Sequence, residues 1–88
     1  MVYKITSWQD YWLQFDELIR LLLAGDKEEV VARLRHAQLY VNGMTDGWHE
    51  FMREFGETIA DHRDDLSAQQ FAIADHLLTS LKWSLAGR

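Results

Sequence analysis

The tetrapeptide Ile-Ala-Asp-His occurs twice, at residues 59–62 and 73–76, and each copy places an aspartate beside a histidine. Carboxylates and imidazoles bind metal ions and transfer protons, so the two copies could be halves of one site. If the chain folds back near residue 65, Asp61 and Asp75 are offset by about 7–8 Å along helices whose axes lie ~8–10 Å apart. Zinc ligands lie about 2 Å from their ion, which does not suit that separation. The sequence therefore favours a chance repeat over a metal site.

Other catalytic signatures are incomplete or absent in the sequence. His49 and Glu50 begin an HExxH pattern, but Arg53 occupies the position of the second histidine. No serine lies in a GxSxG motif, no EF-hand loop is present, and the chain has no cysteine. His62 falls on the predicted inner face of a helix, which is typical of a core or helix-end histidine. We therefore predict that the protein is not an enzyme and that it uses no metal or cofactor.

The elements that carry these residues are predicted to be helices. The chain contains no proline, and its apolar residues recur at spacings of three and four, which places them on one side of a helix. Four such segments cover about residues 7–24, 26–41, 46–63 and 67–86, with short links between them. Amphipathic helices with short links form up-down bundles. Residues 1–88 are therefore predicted to form a single all-α domain, a small antiparallel four-helix bundle.

Local signals mark several helix ends. Ser67 and Gln70 have the three-residue spacing of a capping box at the start of the fourth helix. Gly25 is predicted to end the first helix. Asp26 is predicted to begin the second helix, with its carboxylate capping the amide near Glu29.

Each predicted helix has an apolar inner face that should build the core. Aromatic residues are concentrated in the first and third helices, and the fourth has apolar residues at heptad spacing. The four inner faces consist of Trp8, Tyr11, Trp12, Phe15, Leu18, Ile19, Leu22 and Leu23, then Val30, Leu34, Ala37 and Val41, then Trp48, Met52, Phe55, Ile59 and His62, then Phe71, Ala74, Leu78, Leu81 and Leu85.

The third helix carries the excess charge of the chain. The net charge is −5, and residues 46–65 contain seven acids against two bases, while the other residues balance. Arg53 lies three residues after Glu50 and four before Glu57, so it should offset part of the repulsion. The acids recur every three or four residues along one side of the helix. We call this set the acidic face, and it consists of Asp46, Glu50, Glu54, Glu57, Asp61, Asp64 and Asp65.

Three interpretations of the acidic face are open. A solvated surface that keeps an acidic chain in solution is the commonest origin of such a pattern. Weak binding of a divalent cation by Asp61, Asp64 and Asp65 is a second. The third, which is the functional hypothesis, is a docking surface for a basic partner protein, because an acidic face speeds encounter and restricts partner choice. Immunity proteins, antitoxins and small regulatory adaptors share this size and charge, which is an analogy only.

Apolar residues outside the inner faces suggest a different function. Leu13, Leu21, Leu39 and Trp83 lie off the predicted stripes and could hold a homodimer, as in a structural or assembly subunit. A third alternative is a small-molecule or metal-binding helical protein. The ligand would then contact the 61–65 carboxylates or the aromatic face of Trp8, Trp12, Phe15 and Trp48, although such rings more often pack in a core.

Two classes of partner conflict with the sequence. A nucleic-acid site would need a basic surface, and a helix-turn-helix built from the second and third helices would carry the acids into the groove. The longest apolar run, Leu21–Ala24, is far below the roughly 20 residues of a membrane span. The first ten residues lack the apolar core of a signal peptide. We therefore expect a cytoplasmic protein that binds neither nucleic acid nor membrane.

Overall fold

The computed structural model describes residues 7–41 and 45–86, apart from the side chains of residues 45 and 46, and these residues form four α-helices. The helices are α1 (Trp8–Ala24), α2 (Glu28–Gln38), α3 (Thr45–Asp61) and α4 (Ala68–Ala86), and a 3-10 turn (Arg63–Asp65) lies between α3 and α4. The predicted all-α bundle is confirmed. Within the described residues, no helix is both long and apolar enough to cross a membrane.

The helices form a ring in which each packs against the next helix in the sequence, and α4 closes the ring against α1. α1 packs against α2 and α4, and α3 packs against α2 and α4. Short links make successive helices antiparallel, so the diagonal pair α1 and α3 run in the same direction. The N-terminal halves of α1 and α3 therefore lie at the same end of the bundle, and the two ends differ in composition, as described below.

The start of α4 confirms the predicted capping box. The Gln70 amide donates to Ser67 Oγ at 3.1 Å, and the Ser67 amide donates to Gln70 Oε1 at 2.9 Å. These reciprocal bonds satisfy two amides that have no partner inside the helix. The same glutamine side chain also reaches α1, where its Nε2 donates to the Leu21 carbonyl at 3.1 Å.

The turn between α1 and α2 differs from the prediction. Lys27, not Asp26, is the N-cap residue of α2, and its side chain makes no capping bond. Asp26 has a φ of 60°, the left-handed conformation that follows many helix C-termini. Its amide donates to Leu23 O at 3.1 Å and the Lys27 amide to Leu22 O at 2.8 Å, which are the paired bonds of a Schellman motif. Asp26 therefore closes α1 instead of capping α2, and that prediction is wrong.

Two helices end earlier than the sequence predicted. α2 ends at Gln38 and not at Val41, and α3 ends at Asp61 and not at Arg63. After each helix the amides turn to carbonyls three residues back, as in the bonds from Val41 to Gln38 and from Asp65 to His62. Such tighter turns are common at helix C-termini, where apolar periodicity continues but the i→i−4 ladder does not.

The core confirms most of the predicted inner faces and corrects α3. Phe51 is fully buried although it was not predicted, whereas Met52 and His62 are only half-buried. Phe55 and Ile59 are buried as predicted. The buried line of α3 is thus wider than one stripe, because this helix packs against both α2 and α4. Two predicted core residues of α1, Trp8 and Leu23, are exposed, and Leu77 of α4 is buried where Leu78 was expected.

Aromatic rings fill the space between the diagonal helices α1 and α3. The ring centroids of Trp8 and Trp48 lie 4.3 Å apart, those of Trp12 and Phe51 lie 5.4 Å apart, and Phe15 contacts Phe51 at 5.6 Å. Tilted and edge-to-face pairs at these distances are favourable beyond their buried area. We call this set the aromatic cluster, and it consists of Trp8, Tyr11, Trp12, Phe15, Trp48, Phe51 and Phe55.

The opposite end of the bundle is closed by hydrogen bonds. Gln70 is only 6% exposed, and besides its bonds to Ser67 and Leu21 its Oε1 accepts from Lys27 Nζ at 3.4 Å. Lys27 Nζ also donates to the Asp65 carbonyl. These five residues, which we call the polar junction, join the end of α1, the start of α2 and the link before α4.

Candidate functional site

The backbone of α3 places the central acids of the acidic face on one side of one helix. Glu50, Glu54, Glu57 and Asp61 are separated by four, three and four residues, so they lie within one continuous strip of the helix surface. Asp46 lies in the first turn of α3, and its side chain is outside the described part of the structure. The described part of the strip therefore begins at Glu50.

Arg53 holds three of these carboxylates together. Its Nη2 lies 2.7 Å from Glu50 Oε2 and 3.3 Å from Glu54 Oε1, and its Nη1 lies 2.8 Å from Glu57 Oε2. The hydrogen bonds to Glu50 and then to Glu57 raise the pKa of the Arg53 guanidinium. The predicted offset of repulsion by Arg53 is confirmed, and it includes Glu54 as well.

A second arginine, from another helix, pairs with the end of the strip. Arg33 Nη1 of α2 lies 3.0 Å from Asp61 Oδ2. Arg33 also lines a groove of about 350 Å³ between α2 and α3, together with Ala32, His36 and Glu54. The strip therefore borders this groove, and Glu54, whose side chain is 27% exposed, is its most enclosed carboxylate.

The last two acids leave the helical register. Asp64 and Asp65 lie on the 3-10 turn after α3, and both are exposed. Asp65 Oδ2 lies 3.8 Å from Nδ1 of His62, whereas Asp64 makes no ion pair with any residue in the described ranges. Arg63, between the strip and these acids, lies over the ring of Phe71 at 5.0 Å from its centroid. The acidic face is thus continuous along α3 and changes direction at this turn.

The fold reduces the negative charge of the acidic face without covering it. Residues 46–65 carry a net −5, and the contacts of Arg33 and Lys27 bring two further cations to this segment, which leaves −3. The paired carboxylates stay accessible: the side chains of Glu57, Asp61 and Asp65 are 54%, 63% and 69% exposed. Exposed pairs of this kind contribute only about 0–1 kcal/mol to stability. The arrangement is therefore an accessible anionic surface more than a structural network.

Sequence reasoning missed the inter-helix contribution to this surface. Arg53 could be found because it lies three and four residues from its partners on one helix. Arg33 is 28 residues from Asp61, so no local spacing announces that pair. Only the packing of α2 against α3 brings the two side chains together.

The predicted self-association residues lie on separate parts of the surface. Leu13, Leu39 and Trp83 are 61%, 76% and 64% exposed, and Leu21 is half-buried. Leu13 precedes Asp16 on α1 and Leu39 follows Arg35 after α2, and the Asp16–Arg35 ion pair joins these two antiparallel helices. Leu13 and Leu39 therefore lie toward the same end of the bundle. Trp83 lies on α4, which packs against α1 and α3. The four residues therefore do not belong to one helix face.

The IADH repeat and the metal hypothesis find no geometric support. In the described ranges, no three histidine, aspartate or glutamate side chains are grouped so that they could hold one metal ion. The two copies of the repeat also differ in environment, since Ile59 is buried and Ile73 is half-buried. Asp61 is engaged with Arg33.

Comparison with known proteins adds no relative from which a role could be transferred. No protein-family model matches the chain, and neither the curated proteins nor the solved structures include a significant match.

Proposed function

We propose that this protein is a non-enzymatic protein–protein interaction module whose acidic face docks a basic surface of a partner protein. The observation that carries the proposal is the exposure of Glu57, Asp61 and Asp65, each more than half accessible within the segment 46–65, which bears the whole charge excess. These carboxylates can accept hydrogen bonds from arginine or lysine without any rearrangement of the helix. A small regulatory adaptor or an immunity or antitoxin protein would use such a surface.

The charge distribution favours a basic partner over an uncharged one. Charges of one sign on one face attract an oppositely charged surface over about 8–10 Å at physiological salt, which raises the rate of encounter. The same face repels acidic proteins, so it also restricts partner choice. Because most of these acids are exposed, salt should weaken the complex strongly.

The test variant neutralises three carboxylates that differ in their pairing. Glu57→Gln removes an intrahelical partner of Arg53, Asp61→Asn removes the partner of Arg33, and Asp64→Asn removes an acid with no ion pair in the described residues. The net charge rises from −5 to −2. Neutral side chains are preferable to lysine here, because lysines beside Arg53 would place like charges at helical spacing.

The chain offers a control variant that is matched residue by residue. Glu17→Gln removes the intrahelical partner of Arg20, Asp16→Asn removes the interhelical partner of Arg35, and Asp10→Asn removes an exposed acid of α1. This variant has the same net charge of −2, but its three changes lie outside the acidic face.

The measurement is affinity capture of proteins from a cell extract at about 50 and 300 mM salt, with far-UV circular dichroism of both variants. We expect the test variant to lose at least ten-fold of the captured partner, the control variant to retain it, and high salt to release it. Equal capture by the two variants, or capture that salt leaves unchanged, would refute docking through the acidic face.

A further inference from the structure

The outward side of α4 is an unusual surface for a helix at the edge of a small bundle. Its buried residues include Ala74, Leu77 and Leu81, which face the core. The opposite side carries an exposed tryptophan, Trp83, among small side chains. We call this the α4 outer face, and it consists of Ala72, Asp75, Thr79, Lys82, Trp83 and Ala86.

Trp83 is the largest apolar side chain of the α4 outer face. Its side chain is 64% exposed, and it borders a hollow of about 470 Å³ together with Thr79, Lys82 and Ala86. An exposed tryptophan beside a hollow is a frequent feature of association surfaces, since its large ring gains most from being covered.

We propose that the α4 outer face is a self-association surface, on which a second copy of the chain packs its own α4 in antiparallel orientation. The spacing of the residues supports this occupant, because a symmetric contact requires a face that is complementary to itself. Ala72 and Ala86 each lie seven residues from Thr79, so they lie opposite each other when the two helices cross at Thr79. Three small residues along the centre of the face let the helices approach closely.

The large side chain also finds a place in this arrangement. Trp83 lies four residues after Thr79, and the antiparallel pairing brings it level with residues 75 and 76 of the second copy. The small side chains of Ala72 and Thr79 flank that level and leave a hole for the indole, as in knobs-into-holes packing. Each copy contributes one tryptophan and one hole.

The charges of the α4 outer face are complementary to themselves. Asp75 lies four residues before Thr79 and Lys82 three residues after it, on the same edge of the face. In the antiparallel pair the same edges meet, so Asp75 of one copy and Lys82 of the other are offset by about one residue, or ~1.5 Å. Neither side chain makes an ion pair within the described residues. Two reciprocal ion pairs would therefore form.

The acidic face is a poor surface for self-association. The acidic face carries the excess negative charge, and two such faces repel each other at close range. The α4 outer face has one acid and one base and is therefore neutral. Two copies of this face therefore do not repel each other, and each copy presents the exposed ring of Trp83.

The test is sedimentation velocity of the full chain from 1 to 300 µM, with three variants. Trp83→Ala should raise the dimer dissociation constant at least ten-fold, whereas the control truncation Leu13→Ala, at an apolar residue of similar exposure on α1, should leave it within two-fold. Asp75→Lys should weaken the dimer by placing lysines opposite each other, and the double swap Asp75→Lys with Lys82→Asp should restore it.

Each contrary result overturns the proposal. A wild-type protein that is monomeric at 300 µM excludes the dimer. A dimer that Leu13→Ala weakens more than Trp83→Ala uses another face. Failure of the double swap to restore association excludes the antiparallel pairing. Because these residues lie outside the acidic face, the outcome is independent of the capture experiment with the Glu57, Asp61 and Asp64 variant.

Discussion

The two ends of the bundle are held together by different forces. At one end the aromatic cluster joins α1 to α3 through ring contacts that depend on buried area and tolerate small shifts. At the other end the polar junction joins α1, α2 and α4 through hydrogen bonds that depend on direction and distance. The aromatic end should therefore supply more of the stability, and the polar end should supply more of the geometry that fixes how the helices connect.

The largest loss is expected from Phe51→Ala at the aromatic end. Phe51 is fully buried, and its ring contacts Trp12, Phe15 and Phe55. Truncation to alanine therefore leaves a cavity. We expect a loss of about 3–5 kcal/mol in the free energy of unfolding, measured by urea denaturation. The control Met52→Ala, at a half-buried neighbour, should cost less. An equal or larger loss for Met52 would contradict the assignment of the cluster.

A smaller but more specific loss is expected from Gln70→Ala at the polar end. This change leaves the Ser67 amide and the Leu21 carbonyl without their side-chain partner, Gln70, which is itself buried. We expect a loss of about 2–3 kcal/mol, against less than ~0.5 kcal/mol for the exposed neighbour Gln69→Ala. Amide hydrogen exchange should speed up first at the ends of α1 and α4 that meet there. Uniform acceleration across the bundle would show that the junction has no local role.

The smallest effect, and the one that depends on pH, is expected from Tyr11→Phe, which removes a hydroxyl that joins the aromatic cluster to α4. The Tyr11 hydroxyl donates to the Leu77 carbonyl of α4 at 3.2 Å, and burial raises the pKa of this phenol. At neutral pH the variant should lose about 1 kcal/mol with the hydrogen bond.

At alkaline pH the difference in stability between the wild type and Tyr11→Phe should change sign. The unfolded chain ionises tyrosine near pH 10 and the folded chain does so only at higher pH, so the wild type loses stability as pH rises above about 10. At roughly 1.4 kcal/mol per pH unit, the two stabilities should cross near pH 11. Parallel stability curves for Tyr11→Phe and the wild type from pH 7 to 11.5 would contradict the assigned role of Tyr11.

Local signals predicted much of the fold but not its connections. The Ser67–Gln70 spacing was enough to predict the start of α4, because a capping box involves residues within one turn. The bond from Gln70 to Leu21 joins residues 49 apart and could not be predicted from either neighbourhood. Likewise, the pattern of Phe51 and Met52 fits two nearly equal faces, and only the packing partners of α3 select Phe51.

The error at Asp26 has a related cause. An aspartate after Gly25 and before Glu28 suits both a helix start and a left-handed helix end. The short turn must satisfy the carbonyls of α1 before α2 begins, and the bonds of Leu22 and Leu23 decide between the two. On the acidic face, the same division holds: Arg53 was predictable from spacing, and Arg33 was not.

If the acidic face docks a basic partner as proposed, Arg53 should favour partners that present several cations. Its guanidinium already lies within 2.7–3.3 Å of three carboxylates. A single incoming lysine would have to compete with that resident cation, and exchanging one monovalent group for another changes the local charge balance little. A row of cations at helical spacing would add to Arg53 instead of replacing it. The acidic face should thus prefer a partner with several closely spaced cations over a partner with a single cation.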